Sequence, residues 1–314
     1  MQQWLAIDIG GTKVAGALVG ENGEVCHACS EPTKAAGNAQ MSAQLQALAR
    51  RVCADAAVPV EAVAGVGVAV PGGVNREKGI ASGGVNLGIR YLPVADIFAE
   101  LTSAPVALEN DTNAGALGEK WFGGGRGVDD FAYMAVGTGV GGGLILGGRL
   151  YLGSRGAAGE VGHCIVDPNG LRCRCGTVGC LEGMTSGVGM PLLAAKLLGE
   201  QQARLLGKGE LPQPPLIYAA AAAGDAGASR VVVEVGRLLA VSVVGLFRLL
   251  DVERVIVGGG VASVGPVFLD AIYKGAAALG YDRLSDGAVI LSPLGSKANL
   301  LGAAAVVREK ASRR

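Results

Sequence analysis

At 314 residues the chain is about twice the roughly 150 of a common domain, so two compact units are expected. Half of it is hydrophobic and 17% is charged, which excludes a disordered chain, while 27 basic residues against 27 acidic ones leave no basic footprint for nucleic acid. Aromatic residues supply only 4%, so Val, Leu, Ile and Ala must build the core, with the 53 Gly taking tight turns and close backbone approaches.

Three short strands open the chain, at Trp4–Ile9, Lys13–Val19 and Glu24–Ser30, separated by Gly10-Gly11 and by Glu21-Asn22-Gly23. Residues Ala39–Ala57 carry Leu45, Leu48 and Val52 at helical spacing. An apolar strand at Gly65–Val70 ends in Pro71-Gly72-Gly73; a second lies at Val106–Glu109, and a helix follows over Asn113–Trp121. The second half repeats this order, with strands at Phe131–Val136, Gly141–Leu146 and near Arg149–Leu152. An insertion containing Gly, Cys and Pro runs from Gly153 to Cys180. Helices are expected at 188–199, 216–223, 229–250, 266–278 and 299–309, with a buried strand at Val255–Val257.

Strand, Gly- and Thr-containing turn, and strand recur in the two halves, at Ile7–Thr12 and at Ala135–Gly139. The chain therefore reads as two related α/β lobes, 1–113 and 114–298, with the C-terminal helix over 299–314 packing back on the first and a metal loop at 160–182 in the second. Ligands of such folds sit where lobes meet and strands end. The longest apolar run, Leu238 to Phe247, is about half the ~20 residues of a spanning helix and reads as a buried one. No basic and apolar leader opens the chain, and seven Cys are an odd number. A cytoplasmic protein with reduced thiols is the expectation.

Asp8-Ile9-Gly10-Gly11-Thr12-Lys13 has the makings of a phosphate site. Adjacent glycines let backbone N–H groups approach an anion, Thr12 adds a hydroxyl, Lys13 adds charge, and Asp8 suits a water-bridged Mg²⁺. On these six residues alone an ordinary hairpin turn is an equal reading. Val136 to Gly143 satisfies G-x-G-x-x-G, yet Leu144-Ile145-Leu146 continue a strand where a dinucleotide fingerprint opens a helix. A phosphate-cradling hairpin at Gly137, Thr138 and Gly139 fits better. Glu109-Asn110-Asp111-Thr112-Asn113 falls where strand becomes helix, so Asp111 or Thr112 is either an N-cap or part of a site whose carboxylate takes a proton from a hydroxyl. Val255 to Val261 runs a buried strand into glycines, including Gly259 and Gly260, against which a flat group such as adenine can lie.

The most specific constellation is His163 with Cys173, Cys175 and Cys180, a sufficient set for a closed, structural Zn²⁺ site. Cys164 reads as a small buried residue, and Cys26, His27 and Cys29 as structural residues of a strand, His27 facing away from both thiols. Glu160 and Glu182 flank the cluster and suit a polyhydroxylated ligand, which needs several rigid acceptors; without the metal they would be solvated loop charges.

Together DIGGTK, ENDTN, VGTGVGGG, EVGH, CRCGTVGC followed by LE, and VIVGGG resemble the ROK family of sugar kinases and sugar-responsive repressors, in the family's order and over nearly the whole chain. The resemblance implies an α/β, two-lobed, actin-like (ribonuclease H-like) ATPase fold with an interlobe cleft. It implies Asp111 as catalytic base and Asn110, Asp111, Glu160, His163 and Glu182 as sugar ligands. ATP with Mg²⁺ would be held by Asp8, Gly10, Gly11, Thr12, Lys13, Gly137, Thr138, Gly139, Gly259 and Gly260, and structural zinc by His163, Cys173, Cys175 and Cys180. The EVGH segment resembles the branch that phosphorylates glucose on its 6-hydroxyl; N-acetylmannosamine, N-acetylglucosamine or fructose are the alternative sugars, and polyphosphate the alternative donor. A homodimer or higher homo-oligomer is implied, without nucleic-acid or membrane partners. A sugar-sensing repressor is disfavoured, because such proteins carry a helix-turn-helix before the first phosphate motif and only seven residues precede Asp8.

Overall fold

The first strand, β1 (Gln3–Ile9), is buried from Trp4 to Ile7 and again at Ile9, as a central strand covered on both faces must be. The computed structural model describes residues 2–34, 37–84, 89–282 and 284–312, so the last two residues of the expected C-terminal segment lie outside it. Two compact units result: Met1–Arg126 with Lys297–Arg314, and Gly127–Ser296.

In the first unit β2 (Lys13–Gly20), β3 (Val25–Pro32), α1 (Asn38–Asp55) and β4 (Gly65–Val70) follow the expected order. Then come β5 (Gly73–Asn75), β6 (Ile80–Gly84), β7 (Ile89–Leu92) and α2 (Val94–Ala99), before β8 (Val106–Asn110) and α3 (Asp111–Phe122). The main sheet has the order β3-β2-β1-β4-β8, with β1, β4 and β8 parallel and β1–β2–β3 antiparallel. β5, β6 and β7 form a separate small antiparallel sheet that was not expected. The ladder between β2 and β3 shifts register opposite Ala17, where His27 takes a left-handed φ of 48°. That bulge lets Cys26 and Cys29 both pack against the core while His27 stays exposed.

The second unit contains β9 (Phe131–Val136), β10 (Val140–Leu146), β11 (Arg149–Leu150), α4 (Glu182–Thr185), α5 (Gly189–Leu198), α6 (Glu200–Leu206), α7 (Pro214–Ala222), α8 (Ala226–Leu250), β12 (Arg254–Gly258), α9 (Pro266–Ala278) and β13 (Val289–Leu291). Its sheet order, β11-β10-β9-β12-β13, repeats the first: an antiparallel meander, then two parallel strands. The helix expected at 188–199 stops at Gly199, whose φ of 83° suits glycine, and a new helix starts there. α8 begins three residues earlier than expected because Asp225 caps it, accepting from the Ala228 N–H at 2.7 Å. No helix among the described residues is long and apolar enough to cross a membrane.

The last helix, α10 (Ala298–Ser312), belongs to the first unit and lies against α3, β4 and β1. Helix backbones touch where it crosses α3: a Cβ on Gly118 would stand 2.5 Å from the Ala298 carbonyl oxygen, and one on Gly302 would fall on the Ala114 backbone. Arg308 then stacks 4.3 Å over the Trp121 ring and 5.4 Å from that of Trp4, and the Trp121 indole N–H donates to Glu309 at 3.0 Å.

Candidate active site

Polar residues of the first unit gather at the carboxyl ends of its parallel strands, where open α/β sheets bind ligands. Asp8 stands near the end of β1, paired with Ala15 of β2 and Ala69 of β4. Its carboxyl is pushed up to about 7, first by burial and then by the charge of Asp111, against the opposing pull of Lys13 and a hydrogen bond from Asn299. In the turn that follows, Gly10 donates to the Lys13 carbonyl at 2.9 Å, so a side chain at Gly10 would crowd that oxygen. The Thr33 hydroxyl holds the Gly10 carbonyl at 2.7 Å, and the Thr33 N–H holds that of Thr12 at 3.0 Å. Gly11, Thr12 and Lys13 are left exposed.

At the junction of β8 and α3 the cap is neither Asp111 nor Thr112. Asn110 Oδ1 accepts from the Thr112 N–H (3.0 Å), the Thr112 hydroxyl (2.7 Å) and the Asn113 N–H (3.3 Å). Asp111 is therefore the first helical residue, placed where the helix dipole favours an anion, and its Oδ1 accepts from the Thr112 N–H at 2.9 Å. Asn110 Nδ2 reaches the Gly72 carbonyl at 3.3 Å. Beneath them Glu109 is buried and ion-paired with Arg76.

In the second unit the β9–β10 turn closes through Gly137 N–H to the Gly139 carbonyl (2.9 Å), and Gly187 N–H braces the Gly137 carbonyl (2.7 Å). The chain does continue as strand β10 after this turn, with Thr138 at its tip. Glu182 Oε2 accepts from the Val140 N–H at 2.9 Å, and a Cβ on Gly139 would stand 2.5 Å from that oxygen. Because β12 neighbours β9, Gly259 and Gly260 arrive beside this turn: Val261 N–H bonds the Val136 carbonyl at 2.9 Å, and Gly259, at φ 93°, presses on the Val136 backbone. Glu182 is thus half-buried and engaged rather than a solvated charge, whereas Glu160 is exposed, its carbonyl accepting from the His163 N–H at 3.0 Å.

The ligand atoms of His163, Cys173, Cys175 and Cys180 all lie within 4.8 Å of one another. Cys175 and Cys180 Sγ are 3.6 Å apart, close to the ~3.8 Å edge of a tetrahedron with metal–sulfur bonds of about 2.3 Å. Bridges Ile165–Cys180 and Arg172–Val178 hold the loop, and Gly176 and Gly179 take the positive φ its turns need. Hydrogen bonds from the Thr177 N–H and hydroxyl pull the Cys175 thiol down to about 6, while burial and the neighbouring thiols push Cys180 up to about 12. Crowded thiols that resist joint ionisation are what a divalent cation resolves, so the donor set fits zinc. Cys173 Sγ lies 3.7 Å from Glu182 Oε1, linking the cluster to the β9–β10 turn. Cys164 is exposed, contrary to expectation, because the 3-10 turn Val161–His163 turns it outward.

Asp8, Lys13, Asn110 and Asp111 are thus gathered in the first unit, and Gly137 to Gly139, Glu182, Gly259, Gly260 and the metal set in the second. Asn299, Arg76 and Glu182's grip on Val140 were not foreseen; no local signal marks the first two.

The chain is 32% identical to a glucokinase of Halalkalibacterium halodurans, covering 98% of this chain and 95% of that one. It is 33% identical to an N-acetylmannosamine kinase of Escherichia coli, over 82% of each. A crystal structure of a ROK family glucokinase from Streptomyces griseus in complex with glucose and AMPPNP superposes with a TM-score of 0.79 at 32% identity, covering 98% of this chain and 99% of that one. Residues 4–310 match the ROK family, and the chain belongs to it.

Proposed function

We propose that the chain is an ATP-dependent hexose kinase that transfers the γ-phosphate of ATP to the 6-hydroxyl of glucose. The observation that carries this reading is Asp111 at the first position of α3, directly after the Asn110 cap and close enough to Asp8 to raise its proton affinity. A carboxylate so placed accepts the proton of a sugar hydroxyl as that oxygen attacks the γ-phosphorus in line and the β–γ bridging bond breaks. Asn110, Glu160, His163 and Glu182 orient the sugar. Backbone N–H groups of Gly10 to Lys13 and of Gly137 to Gly139 receive the phosphates, with Gly259 and Gly260 against the base. Mg²⁺, when bound with the nucleotide, supplies charge neutralisation, and Asp8 is the residue to hold it. His163, Cys173, Cys175 and Cys180 would hold zinc, which orders the segment from Glu160 to Glu182. Most of the acceleration then comes from positioning and electrostatics, since no covalent enzyme intermediate forms.

Glucose is favoured by the glucokinase relatives; the N-acetylmannosamine kinase supports a second reading with an N-acetyl sugar. By family resemblance the working form is a cytoplasmic homodimer or higher homo-oligomer. The test is phosphoryl transfer from ATP, and separately from polyphosphate, to glucose, mannose, fructose, glucosamine, N-acetylglucosamine and N-acetylmannosamine. A wide margin for glucose in kcat/KM upholds the first reading, and a margin for an N-acetyl sugar replaces it with the second. Binding without transfer from either donor overturns both.

A further inference from the structure

One buried charge in the first unit has no part in that chemistry. Glu109, the penultimate residue of β8, has a side chain only 4% exposed. Arg76 spans both its carboxylate oxygens in a two-pronged fork, Nε to Oε2 and Nη2 to Oε1. Oε1 also accepts from the Asn110 N–H at 2.8 Å and from Asn113 Nδ2 at 3.1 Å. Arg76 comes from the turn between β5 and β6, and the same hairpin is tied to the junction a second time, by Asn110 Nδ2 on the Gly72 carbonyl at 3.3 Å.

Glu109 is therefore the hub on which the backbone of Asn110 and the side chain of Asn113 are set, and Asn110 in turn caps α3, whose first residue is Asp111. Burying a carboxylate without a close cation is costly. Without Arg76 the Glu109 side chain turns toward solvent, and its contacts with Asn110 and Asn113 change. The planar guanidinium matches both oxygens at once, which fixes the carboxylate plane; a lysine ammonium supplies charge without that plane.

We propose that Arg76 is a positioning residue for the sugar side of the reaction: through Glu109 it sets the orientation of Asn110 and Asp111, with no contact to the nucleotide. The inference rests on the kinase reading for the roles of those two residues. It places a determinant of sugar handling in the turn between β5 and β6, outside the motifs themselves.

The test compares wild type with Arg76→Ala, Arg76→Lys and the double variant Arg76→Met/Glu109→Gln, each checked for folding by thermal melting. Glucose affinity, or that of whichever sugar the wild type prefers, is measured by calorimetry beside kcat and the KM for ATP. Arg76→Ala is expected to weaken sugar binding about tenfold and lower kcat about tenfold or more, with the ATP KM within about twofold. The double variant leaves no buried charge unpaired, and the amide carbonyl it introduces still accepts from Asn110 and Asn113, so it is expected to recover much of that loss. If Arg76→Ala fails to fold, Arg76→Lys decides, with a smaller loss split the same way. Sugar affinity and kcat at wild-type level in the variant that decides overturn the proposal. So does an equal loss on the sugar and ATP sides, which marks general damage. A wild type that binds sugar without phosphorylating it overturns the kinase reading alone, and the affinities of the variants still decide for Arg76. A wild type that binds no sugar overturns both.

Discussion

Replacing Asp8 with Asn should stabilise the protein while disabling it. In the unfolded chain this carboxyl ionises near 3.8, and in the folded chain near 7, because burial and then Asp111 oppose its charge. The folded state therefore holds the proton more tightly, and stability falls as pH rises from about 4 to about 7, then levels off. A shift of about three units sets a ceiling near 4 kcal/mol, at about 1.4 kcal/mol per unit. Solvent reaches part of the side chain, so a smaller cost of about 1–3 kcal/mol is expected. Asn carries no charge at any pH and so removes the cost. Urea unfolding of both proteins at pH 5 and pH 8 should give Asp8→Asn a gain of about 1–3 kcal/mol at pH 8, smaller at pH 5. Phosphoryl transfer should fall at least a hundredfold in the same variant, as expected where a charge that receives the metal-bound nucleotide is lost. A variant less stable at pH 8, or a gain that does not change with pH, would refute the reasoning.

Asp111→Ala should cut kcat by about 10²–10⁴ while calorimetry still finds the sugar bound, the signature of a lost general base. Elemental analysis of protein purified without chelator should find one zinc per chain. Cys180→Ser should lower that content, the melting temperature and the sugar affinity together, since the same loop carries Glu160 and Glu182. Gly302→Ala should destabilise the first unit by about 1–3 kcal/mol, read as earlier unfolding in urea, because the new methyl falls on the Ala114 backbone.

The motif-bearing strands were legible because their chemistry is local. β1 and β9 are apolar runs broken by Gly-rich turns, and the four metal ligands lie within eighteen residues, counted from His163 to Cys180. The β5–β7 sheet was not, since its strands span three to five residues and carry Gly73, Gly83 and Gly84 without clear alternation. The cap at Asn110 was missed by one residue because any of three consecutive polar side chains satisfies the capping rule, and only the backbone path selects one. Asn299 and Arg76 could not be read at all. Each acts on a partner far along the chain, Asp8 and Glu109, and single-sequence periodicity carries no information about such pairings.

The return of α10 to the first unit bears on how the protein is made. Residues 297–312 are synthesised after the entire second unit, yet they supply Gly302, Arg308 and Glu309 to the packing of α3 and β1. On the ribosome the second unit has a contiguous sequence and can close as soon as it emerges. The first must wait with the face of α3 and β4 that α10 covers still open, and a nascent chain stalled before residue 297 would display that apolar surface to chaperones. Maturation thus runs against the order of synthesis: the half that leaves the tunnel first is the last to be finished.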